Sequence, residues 1–266
     1  MAPVPEASDG RAGGFLDLPE RSRKPRERGI THVIDRGMSV AAVEGLMETA
    51  GESVDIVKLG WGTAVVSANL GPKLEYYASK GVPVMLGGTL TEVAIRQGHL
   101  DGLVEWLKQL GLRHVEVSDG TLVLDSKRKC EIIAQLATEF TVYSEVGNKD
   151  ASYIMAPYRW VEQIEAELAA GAHKVITEAR ESGTAGIFRA NGEVRSGLVD
   201  EIVHAIDPNL LIFEAPRKDQ QVWFLLQFGP DCNLGNIAPQ DVLSLETLRL
   251  GLRSETVERF ALDGER

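Results

Sequence analysis

Short runs of β-branched and apolar residues alternate with helical patterns from residue 30 onward. Such runs, separated by amphipathic segments, are typical of strands that alternate with helices. One helix is indicated by apolar residues that recur at i, i+3, i+4 and i+7 from Leu100, and another by a similar pattern behind Ser39, a favourable N-cap residue. Eight strands are predicted, at Ile30–Asp35, Val54–Leu59, Val82–Leu86, His114–Val117, Thr141–Val146, Lys174–Glu178, Leu210–Glu214 and Cys232–Leu234.

The strand starts recur at about the length of one βα unit, and eight units in one domain predict a closed barrel. The alternative is a doubly wound open sheet, which normally carries a glycine-rich phosphate turn after its first strand. Here that turn reads Asp35-Arg36-Gly37-Met38 and contains no G-x-G-x-x-G. We therefore expect the α/β class and a (β/α)8 TIM barrel as a single domain over residues 15–266, preceded by a disordered N-terminal extension over residues 1–14.

Composition narrows the classes of function. The chain has 266 residues, of which 44% are hydrophobic and 25% charged, as in an ordinary globular protein. The formal net charge of -11 argues against a nucleic-acid partner but allows a small anionic ligand in a local cationic pocket. The two cysteines, Cys130 and Cys232, cannot form a disulfide framework, which favours a reducing, cytoplasmic setting. No run is long and apolar enough to predict a secretory signal or a membrane helix.

Polar and charged residues follow nearly every predicted strand. In a (β/α)8 barrel the active site forms at the carboxyl ends of the strands, where these side chains are expected to meet. Buried charges are costly unless they are paired, so such a ring is more often kept for function than for structure, although salt bridges that close the barrel top are the alternative. The candidates are Asp35, Lys58, Gly88, Glu116, Ser118, Glu145, Lys149, Glu178, Arg180, Glu214, Asn233, Gly235 and Asn236.

The histidines exclude two common chemistries. His32, His114 and His173 lie at strand starts and are expected to face the amino end of the barrel, away from the predicted site. A Ser-His-Asp triad and a histidine-ligated zinc site are therefore not expected, and G-x-S-x-G, H-E-x-x-H and C-x-x-C are absent. Carboxylate oxygens at the strand ends are instead the ligands that Mg²⁺ prefers.

Cations among the carboxylates suggest an anionic, phosphorylated substrate. Lys58, Lys149 and Arg180 could neutralise phosphate or carboxylate, and arginine offers a bidentate fork. The loops after strands 7 and 8 are a frequent phosphate site in barrels. A basic cluster within residues 15–29 is either a solvated lead-in to the first strand or a cap on the pocket.

Short motifs across residues 15 to about 240 carry a resemblance to a known family. The matching segments are Lys24-Pro25-Arg26, GWGT at 60–63, GGTLTE at 87–92, EVSDG at 116–120, EVGNKD at 145–150, EARESG at 178–183, FEAP at 213–216 and FGPDCNLGNI at 228–237. In these segments the chain resembles the phosphosulfolactate synthase family of coenzyme M biosynthesis. The resemblance implies a Mg²⁺-dependent, homo-oligomeric barrel enzyme of the carbon–sulfur lyase class that adds sulfite to phosphoenolpyruvate, giving (2R)-phospho-3-sulfolactate.

The reaction that the resemblance implies assigns roles to the strand-end residues. Lys149 is expected to protonate C2 of the substrate, with a pKa lowered by neighbouring cations and Mg²⁺. Lys58 and Arg180 complete the catalytic set. Glu116, Glu145 and Glu178 are the first candidates for metal ligands, and Asp35 and Glu214 the second. The expected substrate-binding residues are Arg21, Lys24, Arg26, Gly88, Ser118, Asn233, Gly235 and Asn236.

Other functions remain open at this point. One alternative is a barrel lyase or aldolase that adds another nucleophile to an enolpyruvyl or carbonyl substrate, with Lys58 or Lys149 forming a Schiff base. Another is a non-catalytic, stress-associated relative, since a fold alone does not determine function. The expected partners are small molecules and further copies of the chain, with neither nucleic acid nor membrane.

Overall fold

The fold is a closed barrel of eight parallel strands. The computed structural model describes residues 15–121, 124–149 and 154–261, so the expected extension over residues 1–14 lies outside the described part. Neighbouring strands pair in sequence order, and β8 pairs with β1 to close the barrel. The prediction of a single-domain (β/α)8 barrel is confirmed. The strands are β1 (Thr31–Asp35), β2 (Ile56–Leu59), β3 (Val84–Leu86), β4 (His114–Val117), β5 (Thr141–Val146), β6 (Lys174–Thr177), β7 (Leu211–Glu214) and β8 (Leu234–Ile237).

Helices lie between the strands and form the outer layer. Ser39 caps α1 as predicted, because its side chain accepts a hydrogen bond from the amide of Ala42. None of the described helices is long and apolar enough to cross a membrane. The helices are α1 (Val40–Ala50), α2 (Thr63–Val66), α3 (Leu70–Ser79), α4 (Gly88–Arg96), α5 (Leu100–Gln109), α6 (Ser126–Ala137), α7 (Pro157–Ala169), α8 (Ser196–Ala205), α9 (Lys218–Phe228), α10 (Val242–Arg249) and α11 (Val257–Phe260).

Alternation along each strand sorts side chains between the barrel interior and the helical layer. Paired residues of adjacent parallel strands face the same side, and Ile34 pairs with Lys58, which in turn pairs with Met85. The interior below the site is filled by an apolar cluster made of Ile30, Ile56, Met85, Tyr143, Ile176 and Ile212. The larger core lies between the strands and the helices. The charged residues therefore lie above this apolar cluster, at one end of the barrel.

Strand β8 differs from its predicted position. We expected it over Cys232–Leu234, but it runs from Leu234 to Ile237 and includes Gly235 and Asn236. Neither glycine nor asparagine favours a strand, and pairing with β1 and β7 overrides that local preference. Asn233 consequently precedes the strand and lies at its amino end instead of following it.

Candidate active site

A pocket opens at the carboxyl ends of the strands. Its volume is about 150 Å³, which suits a small substrate better than a drug-sized one. The lining combines glycine-rich turns with the charged residues that the sequence placed at the strand ends. The lining residues are Ile34, Lys58, Gly60, Trp61, Gly87, Gly88, Thr89, Glu116, Glu145, Lys149, Glu178, Arg180, Glu181, Glu214 and Asn236.

Lys58 lies at the base of the pocket among three glutamates. Its Nζ is 3.0 Å from Oε2 of Glu116, 3.1 Å from Oε1 of Glu214 and 3.8 Å from Oε2 of Glu145. Burial works to lower the pKa of Lys58, but the charges of these carboxylates outweigh burial and hold the pKa well above its ordinary value. Lys58 is therefore a buried, permanently charged group.

Lys149 follows β5 and faces a second set of carboxylates. Its Nζ lies 3.6 Å from Oε1 of Glu92, 3.7 Å from Oε1 of Glu145 and 3.9 Å from Oε2 of Glu178. Burial again works to lower the pKa of Lys149. The charges of the surrounding carboxylates, chiefly Glu145 and Glu178, together outweigh the effect of burial and raise the pKa. The expectation of a lowered pKa rested on neighbouring cations and Mg²⁺, whereas the side chains that surround this ammonium are carboxylates, which raise its pKa. Asp150, the next residue, lies outside the described part of the chain.

The carboxyl groups of Glu145 and Glu178 contact each other. Burial raises the pKa of Glu178 well above its ordinary value, and the charges of Glu145 and Glu214 add to that effect. Burial likewise raises the pKa of Glu214 to about 7. These buried carboxyls carry more potential negative charge than Lys58 and Lys149 can neutralise.

Three residues around the pocket hold a left-handed backbone although none is glycine. The φ angles are 56° for Trp61, 59° for Arg180 and 54° for Asn236. Such conformations cost on the order of 1–3 kcal/mol and cluster at functional sites. The indole Nε1 of Trp61 donates a hydrogen bond to Glu181 at 3.2 Å, so loops after β2 and β6 meet across the pocket mouth. Within the described residues, the Arg180 guanidinium makes no ion pair with a carboxylate, which leaves it available to an anion.

Two expected site residues at the carboxyl ends do not line the pocket. Asp35 faces the helical layer, where its Oδ2 pairs with Lys73 on α3 at 2.9 Å and its Oδ1 accepts from the amides of Gly37 and Met38. Ser118 is fully buried and donates its hydroxyl to Glu92. Both side chains are engaged in these contacts and neither lines the pocket, so the metal role expected for Asp35 and the substrate role expected for Ser118 find no support in their placement.

Four expected substrate-binding residues lie at the opposite, amino end of the barrel. Arg21 bonds to Asp231 and Glu246, Lys24 donates to the carbonyl of Gly51, and Arg26 pairs with Asp55. Asn233 accepts from the amide of Ile30 and donates to the carbonyl of Leu211. The segment before β1 thus packs against the amino end, and none of these four side chains reaches the pocket at the carboxyl end.

Gly235 lies inside β8, below the pocket. A side chain there would come within 3.0 Å of Nδ1 of His32, so glycine leaves room for the imidazole. His32 itself is fully buried, and burial with the nearby Lys58 charge lowers its pKa well below the ordinary value. His114 and His173 lie at the amino end as expected, one on each side of the Tyr143 ring.

Sequence reasoning gave no chemical role to Trp61, Glu181 or Glu92. Trp61 and Glu181 belong to short motifs that directly follow β2 and β6. Because loops after barrel strands lie at the active-site end, this position was the signal in the sequence that could have assigned them a role. Glu92 lies four residues after Gly88 in the GGTLTE segment, which is one turn into a helix that starts at the pocket.

The family follows from comparison with known proteins. A family model described as (2R)-phospho-3-sulfolactate synthase (ComA) matches residues 19–255. The chain belongs to this family. It is 42% identical over 244 residues to a phosphosulfolactate synthase of Bacillus subtilis, a match that covers 91% of this chain and 97% of the relative. It is 39% identical over 250 residues to one of Methanothermobacter thermautotrophicus, covering 92% and 97%. As a member of the phosphosulfolactate synthase family, the protein is an enzyme. A lyase-type addition that forms a carbon–sulfur bond is consistent with this family.

A solved structure supports the fold independently. The 3-hexulose-6-phosphate synthase of Salmonella typhimurium superposes with a TM-score of 0.54 over 82% of this chain and 98% of that chain. The sequences are 12% identical, so this likeness concerns the barrel alone.

Proposed function

We propose that this member of the phosphosulfolactate synthase family adds sulfite to phosphoenolpyruvate, giving (2R)-phospho-3-sulfolactate. The observation that carries the proposal is the pair of ammonium groups, Lys58 and Lys149, set among glutamates in a small pocket with Arg180 at its edge. Both substrates are anions, and buried cations stabilise anionic groups strongly in such an environment.

The residues present fit a Mg²⁺ ion. The described residues contain no three carboxylate, histidine or cysteine side chains already arranged as a complete ligand set. Mg²⁺, however, is commonly held by one or two carboxylates together with substrate oxygens and water. Glu145 and Glu178, whose carboxyl groups contact each other and could both ionise only beside a further cation, would bind it, with Glu116 as the further candidate. When bound, the ion would act as a Lewis acid and draw negative charge into the carboxylate of the substrate.

The residues of the chain then account for the bond changes. The sulfur lone pair of sulfite forms a bond to the methylene carbon, and the carbon–carbon π pair moves toward C2 and the carboxylate. Arg180 and Lys58 hold the anionic groups of the substrates. Lys149, whose Nζ lies 3.7 Å from Glu145 and 3.9 Å from Glu178 at the pocket, delivers its proton to C2 from one face and so sets the configuration.

The proposal includes the setting of the enzyme. We expect a homo-oligomer that works in the cytoplasm, with small molecules as its partners. Cys130 and Cys232 are both free, which is compatible with a reducing compartment.

The test is an assay with phosphoenolpyruvate, sulfite and Mg²⁺, followed by loss of the enolpyruvyl absorbance and by identification of the product. Consumption that requires both sulfite and the metal is expected, and addition of a chelator should stop it. Sulfite-independent consumption, or none, would refute the reaction. Borohydride trapping in the presence of a carbonyl substrate checks the Schiff-base alternative, for which a stable adduct at Lys58 or Lys149 is required.

A further inference from the structure

Glu92 is a buried carboxylate that the reaction described above does not use. It lies in the first turns of α4, the helix that follows β3, and is 1% exposed. A carboxylate at this depth is costly unless partners hold it, so its contacts indicate why the chain keeps it there.

Helix α4 is fixed tightly against the end of β4. The amide of Gly88 donates to Oε1 of Glu116 at 2.7 Å, and the hydroxyl of Thr91 donates to the carbonyl of Glu116 at 2.8 Å. A side chain at Gly88 would come within 2.3 Å of the Ser118 hydroxyl, so the approach requires glycine. The position of Glu92 relative to the pocket is therefore set by contacts within a few ångströms of the site.

Glu92 joins three parts of the site. Its Oε1 accepts the Ser118 hydroxyl at 2.6 Å, and its Oε2 accepts the amide of Thr121 at 2.9 Å. Its Oε1 also lies 3.6 Å from Nζ of Lys149. One carboxylate thus holds the loop after β4 and faces the ammonium that follows β5.

We propose that Glu92 is a positioning residue that holds the Lys149 ammonium toward C2 of the bound substrate. The inference rests on the proposed function, in which Lys149 is the acid. The other two carboxylates near Lys149, Glu145 and Glu178, are those assigned to Mg²⁺. With those two carboxylates engaged by the ion, Glu92 would be the carboxylate that holds the ammonium in place.

The substitution Glu92→Gln separates this role from a structural one. Glutamine keeps an oxygen for the Thr121 amide, and its amide can donate to the Ser118 hydroxyl oxygen. It removes the charge that attracts Lys149 and keeps a polar group of the same size at that position. If Glu92 merely supports the loop after β4, Glu92→Gln should therefore be nearly silent.

The experiment measures kcat, KM for both substrates and thermal midpoint for Glu92→Gln and Glu92→Asp. For Glu92→Gln we expect kcat to fall at least about tenfold with each KM within about threefold, because acid catalysis contributes roughly 10²–10⁴ and is partly lost. Glu92→Asp, which restores the charge, should recover part of kcat. The matched control is Glu246→Gln, which removes the charge facing Arg21 at the amino end and should leave kcat unchanged.

A double-mutant cycle with Lys149→Ala tests whether Glu92 acts through that lysine. If it does, Glu92→Gln adds no further loss in the Lys149→Ala background, whereas multiplied losses would overturn the inference. If Lys149→Ala has no measurable turnover, the solvent deuterium isotope effect on kcat of Glu92→Gln decides instead. A larger effect than in the wild type is expected, and an unchanged effect overturns the proposal. An inactive wild type would overturn the proposed function as well, whereas an active wild type matched by Glu92→Gln overturns this inference alone.

Discussion

Lys149 keeps its positive charge because the side chains packed against it are carboxylates. Burial alone would favour the neutral amine, yet Glu145, Glu178 and Glu92 together outweigh it. A lysine in this state is a donor of protons and a poor nucleophile, since a Schiff base requires the neutral amine.

Replacement of Lys149 by alanine should reduce kcat by roughly 10²–10⁴, the usual contribution of a positioned acid. The fold should persist, because this side chain is 28% exposed and contributes little to the core. The measurement is steady-state turnover with sulfite and phosphoenolpyruvate, with circular dichroism to check folding. Lys127→Ala, which removes an exposed lysine on α6, is the control and should be fully active. Turnover retained by Lys149→Ala would show that another group protonates C2.

At the scale of the element, alternation along the strands decides which charged residues reach the pocket. The sequence predicted the barrel, seven of the eight strands closely and most of the charged lining, because those features follow from short apolar runs and their polar exits. It did not show which face of each strand is interior, since parallel barrel strands are apolar on both faces. Asp35 was therefore assigned to the site, although its neighbour Ile34 is the residue that faces inward.

Two other errors have separate physical causes. Asn233 was placed at the carboxyl end because Gly235 and Asn236 are poor strand formers, and only barrel closure shows that they belong to β8. The basic residues before β1 were assigned to substrate because arginine and lysine bind anions. Chain direction contradicts that assignment, since a segment that enters a strand arrives at its amino end, opposite the site.

A buried ion network ties two helices to the back of β5. Lys129 on α6 is 2% exposed, and its Nζ lies 2.8 Å from Asp119, 2.8 Å from Glu167 on α7 and 2.6 Å from the carbonyl of Glu145. The network thus supports the backbone of a residue in the pocket from outside the barrel.

Glu167→Gln should lower the free energy of unfolding by on the order of 2–4 kcal/mol, because it removes one partner of a buried ammonium. The measurement is urea denaturation followed by circular dichroism. Glu162→Gln is a matched control on the same helix, where the partner is the exposed Arg159 at 3.1 Å, and it should change stability little. Equal effects of the two substitutions would contradict the assignment of a stabilising role to the buried network.

At the scale of the whole molecule, the two ends of the barrel have different tasks. The carboxyl end concentrates charge around a pocket, whereas the amino end is partly covered by the segment before β1 and has a second cavity lined by the ring cluster of His114, Tyr143 and His173. Burial lowers the pKa of both histidines, and their mutual proximity and Lys174 add to that effect, with the exposed Glu27 opposing it at His173.

Stability should consequently fall as the pH drops below about 6.5, the ordinary histidine pKa. Below that value the two histidines take up protons in the unfolded chain but resist protonation in the folded protein, so acid favours unfolding. Above it the two histidines are neutral in both states and do not affect stability. The measurement compares thermal midpoints at about pH 7.5 and about pH 5.5 with those of a His114→Gln/His173→Gln variant. The variant should lose less stability on acidification, since all other groups titrate in both proteins. Identical losses would exclude these histidines as the cause.

The contacts between the segment around β1 and α10 also constrain when the chain can finish folding. The guanidinium of Arg21 bonds to Glu246 across 225 residues of sequence, and that of Arg249 bonds to the carbonyl of Ile30 across 219. Contacts of such sequence separation form late, because the chain must first bring its distant ends together. A nascent chain still lacking α10 cannot form these contacts. Synthesis of α10 is therefore required before the two ends of the chain can be joined, and a truncation before residue 242 would remove the contacts while the sequence of every pocket residue remained intact.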